Sequence, residues 1–177
     1  MKKQVTYILL CLILLSSCRN KVQQAPINFS AKNNRENETL LKMNSYVAKR
    51  NQELICQFVK RTGLEMKETG SGLWYSIYEK GKGKPVKQGK LVEFSYKLRL
   101  LDGTLIDSAS VENPKSFRVG KGGVEPGMEE GILLLHEGDH VWFIFPPHIA
   151  YGNFGDQGKI PPGAFLFYDM YLTGVKP

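Results

Sequence analysis

The sequence has 177 residues, which leaves room for one domain of ordinary size and an extension. Hydrophobic residues make up 42% of it, a share that allows a packed core and excludes global disorder. The formal net charge is +7, but the basic residues are scattered without a long block, so binding to nucleic acid is not predicted.

The N-terminus has the form of a secretory signal. Lys2 and Lys3 form a positive region, and the apolar run over residues 8–15 is too short to span a bilayer as a mature helix. The run ends in Ser16-Ser17-Cys18, which resembles the lipobox of bacterial lipoproteins. That resemblance implies a signal peptide over residues 1–17 and acylation of the Cys18 thiol. We therefore expect a protein anchored to a membrane by lipid on Cys18, in the cell envelope and on the periplasmic face.

Residues 18–37 are polar and are predicted to be a tether behind the anchor. The following segment, residues 38–68, is predicted to contain an amphipathic helix that ends near residue 62, before Gly63. Its apolar residues follow three- and four-residue steps at Leu40, Met43, Val47, Leu54 and Phe58. This stripe either packs on the domain that follows or pairs with a second copy in a homodimer, and the sequence leaves both open.

Only one cysteine remains once Cys11 leaves with the signal and Cys18 carries lipid. Cys56 therefore has no partner for a disulfide within the mature chain. We interpret it as a small buried hydrophobe on the helix, and an intermolecular disulfide is the alternative.

The pattern becomes that of strands in residues 69–177. Residues 91–101 alternate strictly, with apolar side chains on one face and polar or charged side chains on the other. Asp102-Gly103 then marks a tight turn. One short helix is predicted over residues 127–135, and further strands over residues 73–78, 105–107, 115–119, 141–145 and 165–172. The sum is an α+β domain built on an antiparallel sheet of five or six strands.

Eight segments of this region, in order and at matching spacing, resemble FKBP-type peptidyl-prolyl cis/trans isomerases. They include Val92-Glu93-Phe94-Ser95-Tyr96, Asp102-Gly103, Pro126 to Gly131, Glu137-Gly138-Asp139, Ile160-Pro161-Pro162 and Leu166 to Met170. The resemblance covers about residues 70–176. It implies an FKBP-like antiparallel sheet of five to six strands wrapped over one short helix, here preceded by the N-terminal amphipathic helix. It also implies that the ligands are proline-containing polypeptides and that neither a cofactor nor a metal is needed.

The resemblance also assigns the site. It implies catalytic roles for Asp107 and Tyr151, and substrate contacts at Tyr96, Ile106, Phe117, Val124, Glu125, Met128, Ile160 and Tyr168. In the family the tyrosine at the position of Tyr151 reaches a substrate carbonyl with its hydroxyl. The backbone N–H at the position of Glu125 donates to substrate.

Three positions depart from the family pattern. Ile106 stands where a Phe is usual, Met128 where a Trp is usual, and Glu125 where an Ile is usual. Each change makes the cavity less aromatic or its rim more polar. We therefore expect reduced turnover and reduced affinity for the macrolide ligands of this family.

Two other sets of residues resemble functional motifs only superficially. His136, His140 and His148 form a thin metal set without Cys or a clear carboxylate cluster, so no metal site is predicted. The run from Gly120 to Gly123 lacks Walker spacing and is interpreted as a turn.

The sequence therefore predicts a prolyl isomerase that assists the folding of exported proteins. The alternative is an envelope chaperone or partner-binding module whose pocket is only weakly active. The short lipid-anchored layout also resembles the FKBP-like lipoproteins that are associated with gliding motility in some bacteria.

Overall fold

The computed structural model describes the backbone of residues 29–177 and the side chains of residues 37–177. The predicted signal peptide, Cys18 and the tether up to residue 28 lie outside the described residues. The chain divides into two compact units, Met1–Lys42 and Met43–Pro177. In the first unit, Lys42 Nζ donates to Glu38 Oε1 at 2.7 Å along the exposed surface of a helix.

That helix, α1, extends over Phe29–Thr62 and so begins earlier than the residue 38 expected from the apolar stripe. Ala31, Lys32, Arg35 and Glu36 in this segment favour a helix, whereas its three asparagines do not, and no periodic apolar stripe marks it in the sequence. Its end is as predicted: Gly63 takes a φ of +68°, and its N–H donates to the carbonyl of Val59 at 2.9 Å.

The last turns of α1 pack on the rest of the second unit. Ile55 is buried, and the ring of Phe58 lies 5.7 Å from that of Phe167. Arg61 donates to the carbonyl of Leu101 at 3.3 Å. The earlier apolar residues of the stripe are exposed, namely Leu40, Met43 and Val47. Within the described residues no helix is both long enough and apolar enough to cross a membrane.

The domain after α1 is one antiparallel sheet of seven strands. The strands are β1 (Lys67–Glu68), β2 (Trp74–Glu79), β3 (Leu91–Leu100), β4 (Leu105–Ala109), β5 (Lys115–Arg118), β6 (His140–Phe145) and β7 (Leu166–Lys176). Their order in the sheet is β1-β2-β6-β7-β3-β4, and β5 also pairs with β3. The α+β prediction is confirmed. The strand beyond the expected five or six is β1, which at two residues is too short to show an alternating pattern.

β3 is the central element of this sheet because β4, β5 and β7 all pair with it. Its alternation is as predicted: Val92, Phe94, Tyr96 and Leu98 are buried on one face. The turn at its end is also as predicted, since Gly103 has a φ of +95° and donates to the carbonyl of Leu100 at 3.0 Å. This buried face of β3 forms one wall of the core.

The short helix α2 (Pro126–Ile132) lies against that face of the sheet. Two glycines one turn apart allow the close approach. A Cβ at Gly127 would meet Phe145 Cγ at 2.9 Å, and one at Gly131 would meet Phe143 Cε1 at 2.9 Å. Met128 and Ile132 fill the space that remains, and both are buried.

Asp139 is the buried charged residue of this core. Its Oδ1 accepts from the N–H of Gly81 and its Oδ2 from the N–H of His136, both at 2.7 Å. The carboxylate therefore joins the chain before β3 to the chain before β6. This gives the aspartate of the Glu137-Gly138-Asp139 segment a structural role.

Candidate functional site

A cavity of about 670 Å³ opens between β3, β4, α2 and the loop after β6. Nine of the ten residues predicted for the site line it, namely Tyr96, Ile106, Asp107, Val124, Glu125, Met128, Tyr151, Ile160 and Tyr168. They come from five separate segments, so the fold alone brings them together. The exception is Phe117.

Phe117 lies behind the cavity wall and does not line it. β5 pairs Phe117 with Val92, and its buried ring packs edge-on against Phe94 at 6.0 Å. Phe94 lines the cavity instead. The alternation of β3 could have predicted Phe94 as a cavity residue, because Phe94 lies on the same face of the strand as Tyr96.

The walls of the cavity are aromatic. The rings of Tyr96 and Tyr168 are 5.6 Å apart, and so are those of Phe94 and Tyr96. Phe145, which does not line the cavity, packs against Tyr168 at 5.1 Å. Met128 closes the floor as a buried side chain from α2. Ile106 and Ile160 add aliphatic surface. An apolar ring would find dispersion contacts on several sides here.

Asp107 is joined to Tyr96 across β3 and β4. The Tyr96 hydroxyl donates to Asp107 Oδ2 at 2.6 Å, and the Ser108 N–H donates to Oδ1 at 2.9 Å. The hydrogen bond from Tyr96 lowers the pKa of the Asp107 carboxyl, as do the nearby charges of Lys115 and Lys159. Burial, and then this same bond, raise the pKa of Tyr96, so its hydroxyl stays protonated.

Glu125 brings a second carboxylate to the cavity. It lies immediately before α2, where its carbonyl accepts from the N–H groups of Met128 and Glu129. Its Oε1 accepts from the Tyr168 hydroxyl at 2.9 Å. Burial raises the pKa of Tyr168, and the negative charge of Glu125 raises it further. The backbone N–H of Glu125 has no acceptor among the described residues and is free to donate to a ligand.

Tyr151 belongs to the loop after β6 and is 38% exposed, so a ligand can reach its hydroxyl. Burial of the remainder raises the pKa of Tyr151, and the Glu125 carboxylate adds to the effect by its charge and by hydrogen bonding. Asp156 holds the same loop: its Oδ1 accepts from Gly158 at 2.8 Å and from Ile160 at 2.7 Å. This bonding keeps Ile160 buried at the cavity.

The cavity also contains residues that the sequence reasoning did not assign to it, namely Phe94, Leu98, Lys115, Gly123, Pro126, Ala150, Asp156 and Lys159. Strand alternation could have identified Phe94 and Leu98. No local pattern marks Lys115 or Lys159, because they reach the cavity only through the path of the chain around it.

The three histidines lie apart in separate contacts. His148 Nε2 is 2.8 Å from the carbonyl oxygen of Ser71, and the ring of His140 stacks on Tyr171 at 4.2 Å. His136 bonds Asp139 through its backbone N–H. Within residues 37–177, no group of three or more His, Cys, Asp or Glu side chains is placed to hold a metal ion.

An aromatic cup set over a short helix on an antiparallel sheet is the arrangement that the resemblance to prolyl isomerases predicts. The family model for FKBP-type peptidyl-prolyl cis-trans isomerases matches residues 82–173. The chain therefore belongs to the FKBP-type peptidyl-prolyl cis-trans isomerase family.

Curated relatives agree with this assignment. The FKBP-type peptidyl-prolyl cis-trans isomerase FkpA of Escherichia coli K12 is 38% identical over 122 residues, which cover 68% of this chain and 43% of the relative. The probable FkpA of Neisseria meningitidis serogroup B is 37% identical over 131 residues, covering 72% of this chain and 47% of the relative. The matches thus span less than half the length of these relatives.

Solved structures share the fold. The crystal structure of AtFKBP13 is 30% identical, with a TM-score of 0.60, and the match covers 64% of this chain and all of that one. A peptidyl-prolyl cis-trans isomerase from Pseudomonas syringae pv. tomato DC3000 has a TM-score of 0.61 at 23% identity, covering 73% of this chain and 96% of the other. At that identity the second likeness concerns the fold alone.

Proposed function

We propose that this chain isomerises X-Pro peptide bonds of exported polypeptides in the cell envelope. The observation that carries the proposal is the cup formed by Tyr96, Tyr168 and Met128, with the Tyr151 hydroxyl at its mouth. Nine of the residues lining it stand at positions to which the resemblance to this family assigns substrate contacts or catalysis.

The chemistry requires no nucleophile and no cofactor. An X-Pro bond rotates over a barrier of about 18–20 kcal/mol because rotation disrupts amide resonance. Uncatalysed exchange takes tens to hundreds of seconds. The twisted amide is less polar than the planar one, so a site that removes water from the bond favours rotation.

The residues of this cup would divide that task. The aromatic walls and Met128 would bind the pyrrolidine ring, while the backbone N–H of Glu125 and the Tyr151 hydroxyl would donate to substrate carbonyls. Donors held in place before the reaction stabilise the twisted state without reorganisation. Asp107 would hold Tyr96 in position through their 2.6 Å hydrogen bond and present its carboxylate beside the reacting bond.

The refolding of a protein that is limited by proline isomerisation tests this function. We expect the full chain to accelerate the slow phase at catalytic concentration, and a Tyr96→Ala variant that is folded by circular dichroism to lose most of that acceleration. A slow phase that the full chain leaves at the buffer rate would exclude catalysis and leave the fold unaffected.

A chaperone or partner-binding function is the second candidate. Two features favour it: Glu125 makes the rim polar, and Phe154, on the loop that carries Tyr151, is 82% exposed. A binding module of this kind would suppress aggregation of an unfolded client without accelerating the proline-limited phase. Phe154→Ala should then reduce the suppression of aggregation, and the proline-limited phase should stay at the buffer rate with either chain.

We also propose that lipid on Cys18 anchors the chain at the periplasmic face of a membrane. The signal-like residues 1–17 and the Ser16-Ser17-Cys18 box support this anchor. The expected domain bounds belong to the same proposal. Cells fed labelled palmitate should incorporate it into the wild-type chain and not into Cys18→Ser. Association with gliding motility stays a prediction from resemblance.

A homodimer through α1 is also part of the proposal, supported by the exposed Leu40, Met43 and Val47. Sedimentation of the full chain should then give a dimer, and Met43→Glu should give a monomer. Glu substitution at exposed Lys49, which lies outside the apolar stripe, provides the matched control.

A further inference from the structure

The prolyl cavity is lined by three carboxylates and two lysines. Asp107 accepts hydrogen bonds on both oxygens, from the Tyr96 hydroxyl and the Ser108 N–H, and the charges of Lys115 and Lys159 act on it from beyond ion-pair distance. Asp107 thus already has a donor on each carboxylate oxygen and basic side chains acting on it.

Asp156 is compensated in a different way. One of its oxygens accepts from the backbone N–H groups of Gly158 and Ile160, and these bonds lower its pKa. Asp156 thus serves its own loop through Oδ1, and as an exposed side chain it is more fully hydrated than the half-buried Glu125.

Glu125 is the third carboxylate, and the hydrogen bond to its side chain comes from a neutral hydroxyl. Tyr168 donates to its Oε1 at 2.9 Å. Within residues 37–177 no Lys, Arg or His nitrogen lies within ion-pair distance of it, and no backbone N–H donates to it. Its charge acts across the cavity, since it raises the pKa values of Tyr96, Tyr151 and Tyr168.

A carboxylate set among tyrosine rings, Met128 and Ile160 is partly removed from water, and hydroxyl donors do not neutralise it. A cation brought by a ligand would supply the charge that the chain does not. The rim position of Glu125 decides where that cation would lie. With a prolyl ring over the buried Met128, the half-buried Glu125 would face the residues next to that proline.

We propose that Glu125 selects substrates that carry a lysine or arginine next to the proline. The inference rests on the proposed function, in that it takes the cavity to hold the prolyl ring. It makes Glu125 a specificity-determining residue and basic X-Pro or Pro-X segments the preferred substrate class.

The test uses acetyl- and amide-capped peptides that differ only in the residue before or after proline, which is Lys, Leu or Glu. Exchange spectroscopy measures isomerisation by the full chain, and a titration followed by tyrosine and tryptophan fluorescence measures Kd for the same peptides. We expect Lys to be preferred over Leu about three- to tenfold at one of the two positions, as a partly desolvated ion pair provides, with Glu the poorest. The preference should decline as salt is raised from 0.02 to about 0.5 M.

Three variants separate charge recognition from structural support. Glu125→Gln should remove the Lys preference, measured as a ratio against Leu whatever the absolute rate. Tyr168→Phe removes the hydrogen bond but keeps the charge, so it should retain the preference. Glu112→Gln removes an exposed carboxylate that does not line the cavity and should retain it as well.

The outcomes are distinct. Equal kcat/KM and Kd for Lys and Leu at both positions would overturn the inference, and so would loss of the preference in Tyr168→Phe. If no peptide were isomerised above the buffer rate, the proposed catalysis would fail. The Kd ratio would still decide whether Glu125 recognises the cation.

Discussion

The hydroxyl of Tyr96 donates to Oδ2 of Asp107 at 2.6 Å, which joins the inner face of β3 to the edge strand β4 at the mouth of the cavity. β3 and β4 pair there in a register that shifts between Leu98 and Arg99. The bond therefore fixes an irregular part of the sheet, where the backbone ladder alone leaves the strands less constrained. It also sets the orientation of a ring that forms one wall of the site.

This hydrogen bond should be measurable by a double-mutant cycle. Tyr96→Phe and Asp107→Asn each weaken it, and we expect a coupling free energy of about 1 kcal/mol from urea denaturation at pH 7. A coupling of zero would mean that solvent competes successfully for the exposed carboxylate. Glu112→Gln paired with Tyr96→Phe is the matched control and should show no coupling.

The same carboxylate gives a pH dependence whose sign is fixed. The pKa of Asp107 is lower in the folded chain than its usual value of 3.8, so ionised Asp107 favours folding at pH values above 3.8. That contribution is lost as the pH falls through the folded-state pKa. The wild type should therefore exceed Asp107→Asn in unfolding free energy at pH 7, and the difference should decline in acid. A difference that grows as the pH falls would contradict the assignment.

Met128 allows the departure from the family pattern to be tested directly. Because a Trp is usual at this floor position, Met128→Trp should restore aromatic contact with the prolyl ring. We expect about a tenfold gain in affinity for a family macrolide and a gain in isomerisation rate, provided that the neighbouring side chains accommodate the larger ring. Ile132→Leu, on the same helix and facing the core, serves as a control for general changes in packing.

How much of this architecture the sequence determines depends on the range of the interactions. The alternation of β3 and the turn at Gly103 are local, so residues 91–103 were predicted almost to the residue. The start of α1 was missed because a helix of polar residues has no periodic signature. The residues that meet in the cavity were predicted only through the family resemblance. Five segments far apart in the sequence contribute to the cavity, and no local pattern shows that they come together.

The place of Phe117 follows neither from a local sequence pattern nor from the family resemblance. Its position in the family pattern predicted a wall residue, but the pairing of β5 with β3 sets it beside Val92, where its ring packs edge-on against Phe94 and does not line the cavity. Lys115 and Lys159 are the converse case, because Lys115 at the start of β5 and Lys159 on the loop after β6 reach the cavity only through the path of the whole chain.

Gly127 should be required for the approach of α2 to the sheet. A Cβ there would lie 2.9 Å from Phe145 Cγ and 3.0 Å from the carbonyl oxygen of Ile149. Gly127→Ala gains helix propensity of about 1 kcal/mol, but overpacking of about 1–3 kcal/mol should exceed it. Thermal denaturation should show a lower Tm, whereas Gly70→Ala, with open space around it, should leave the Tm unchanged. A higher Tm for Gly127→Ala would mean that α2 can move away from the sheet at little cost.

The two parts of the α1 stripe should respond differently to truncation. Ile55 is 1% exposed, so Ile55→Ala should lower the unfolding free energy by about 2–4 kcal/mol through lost burial and a cavity. Val47 is 53% exposed, so in a monomer Val47→Ala should be nearly neutral. The comparison also bears on the proposed homodimer, because pairing through the stripe would bury Val47. Denaturation at two protein concentrations distinguishes the monomer from the dimer. If Val47→Ala lowers the unfolding free energy only at the higher concentration, the stripe pairs with a second copy. A lower unfolding free energy at both concentrations would contradict both arrangements.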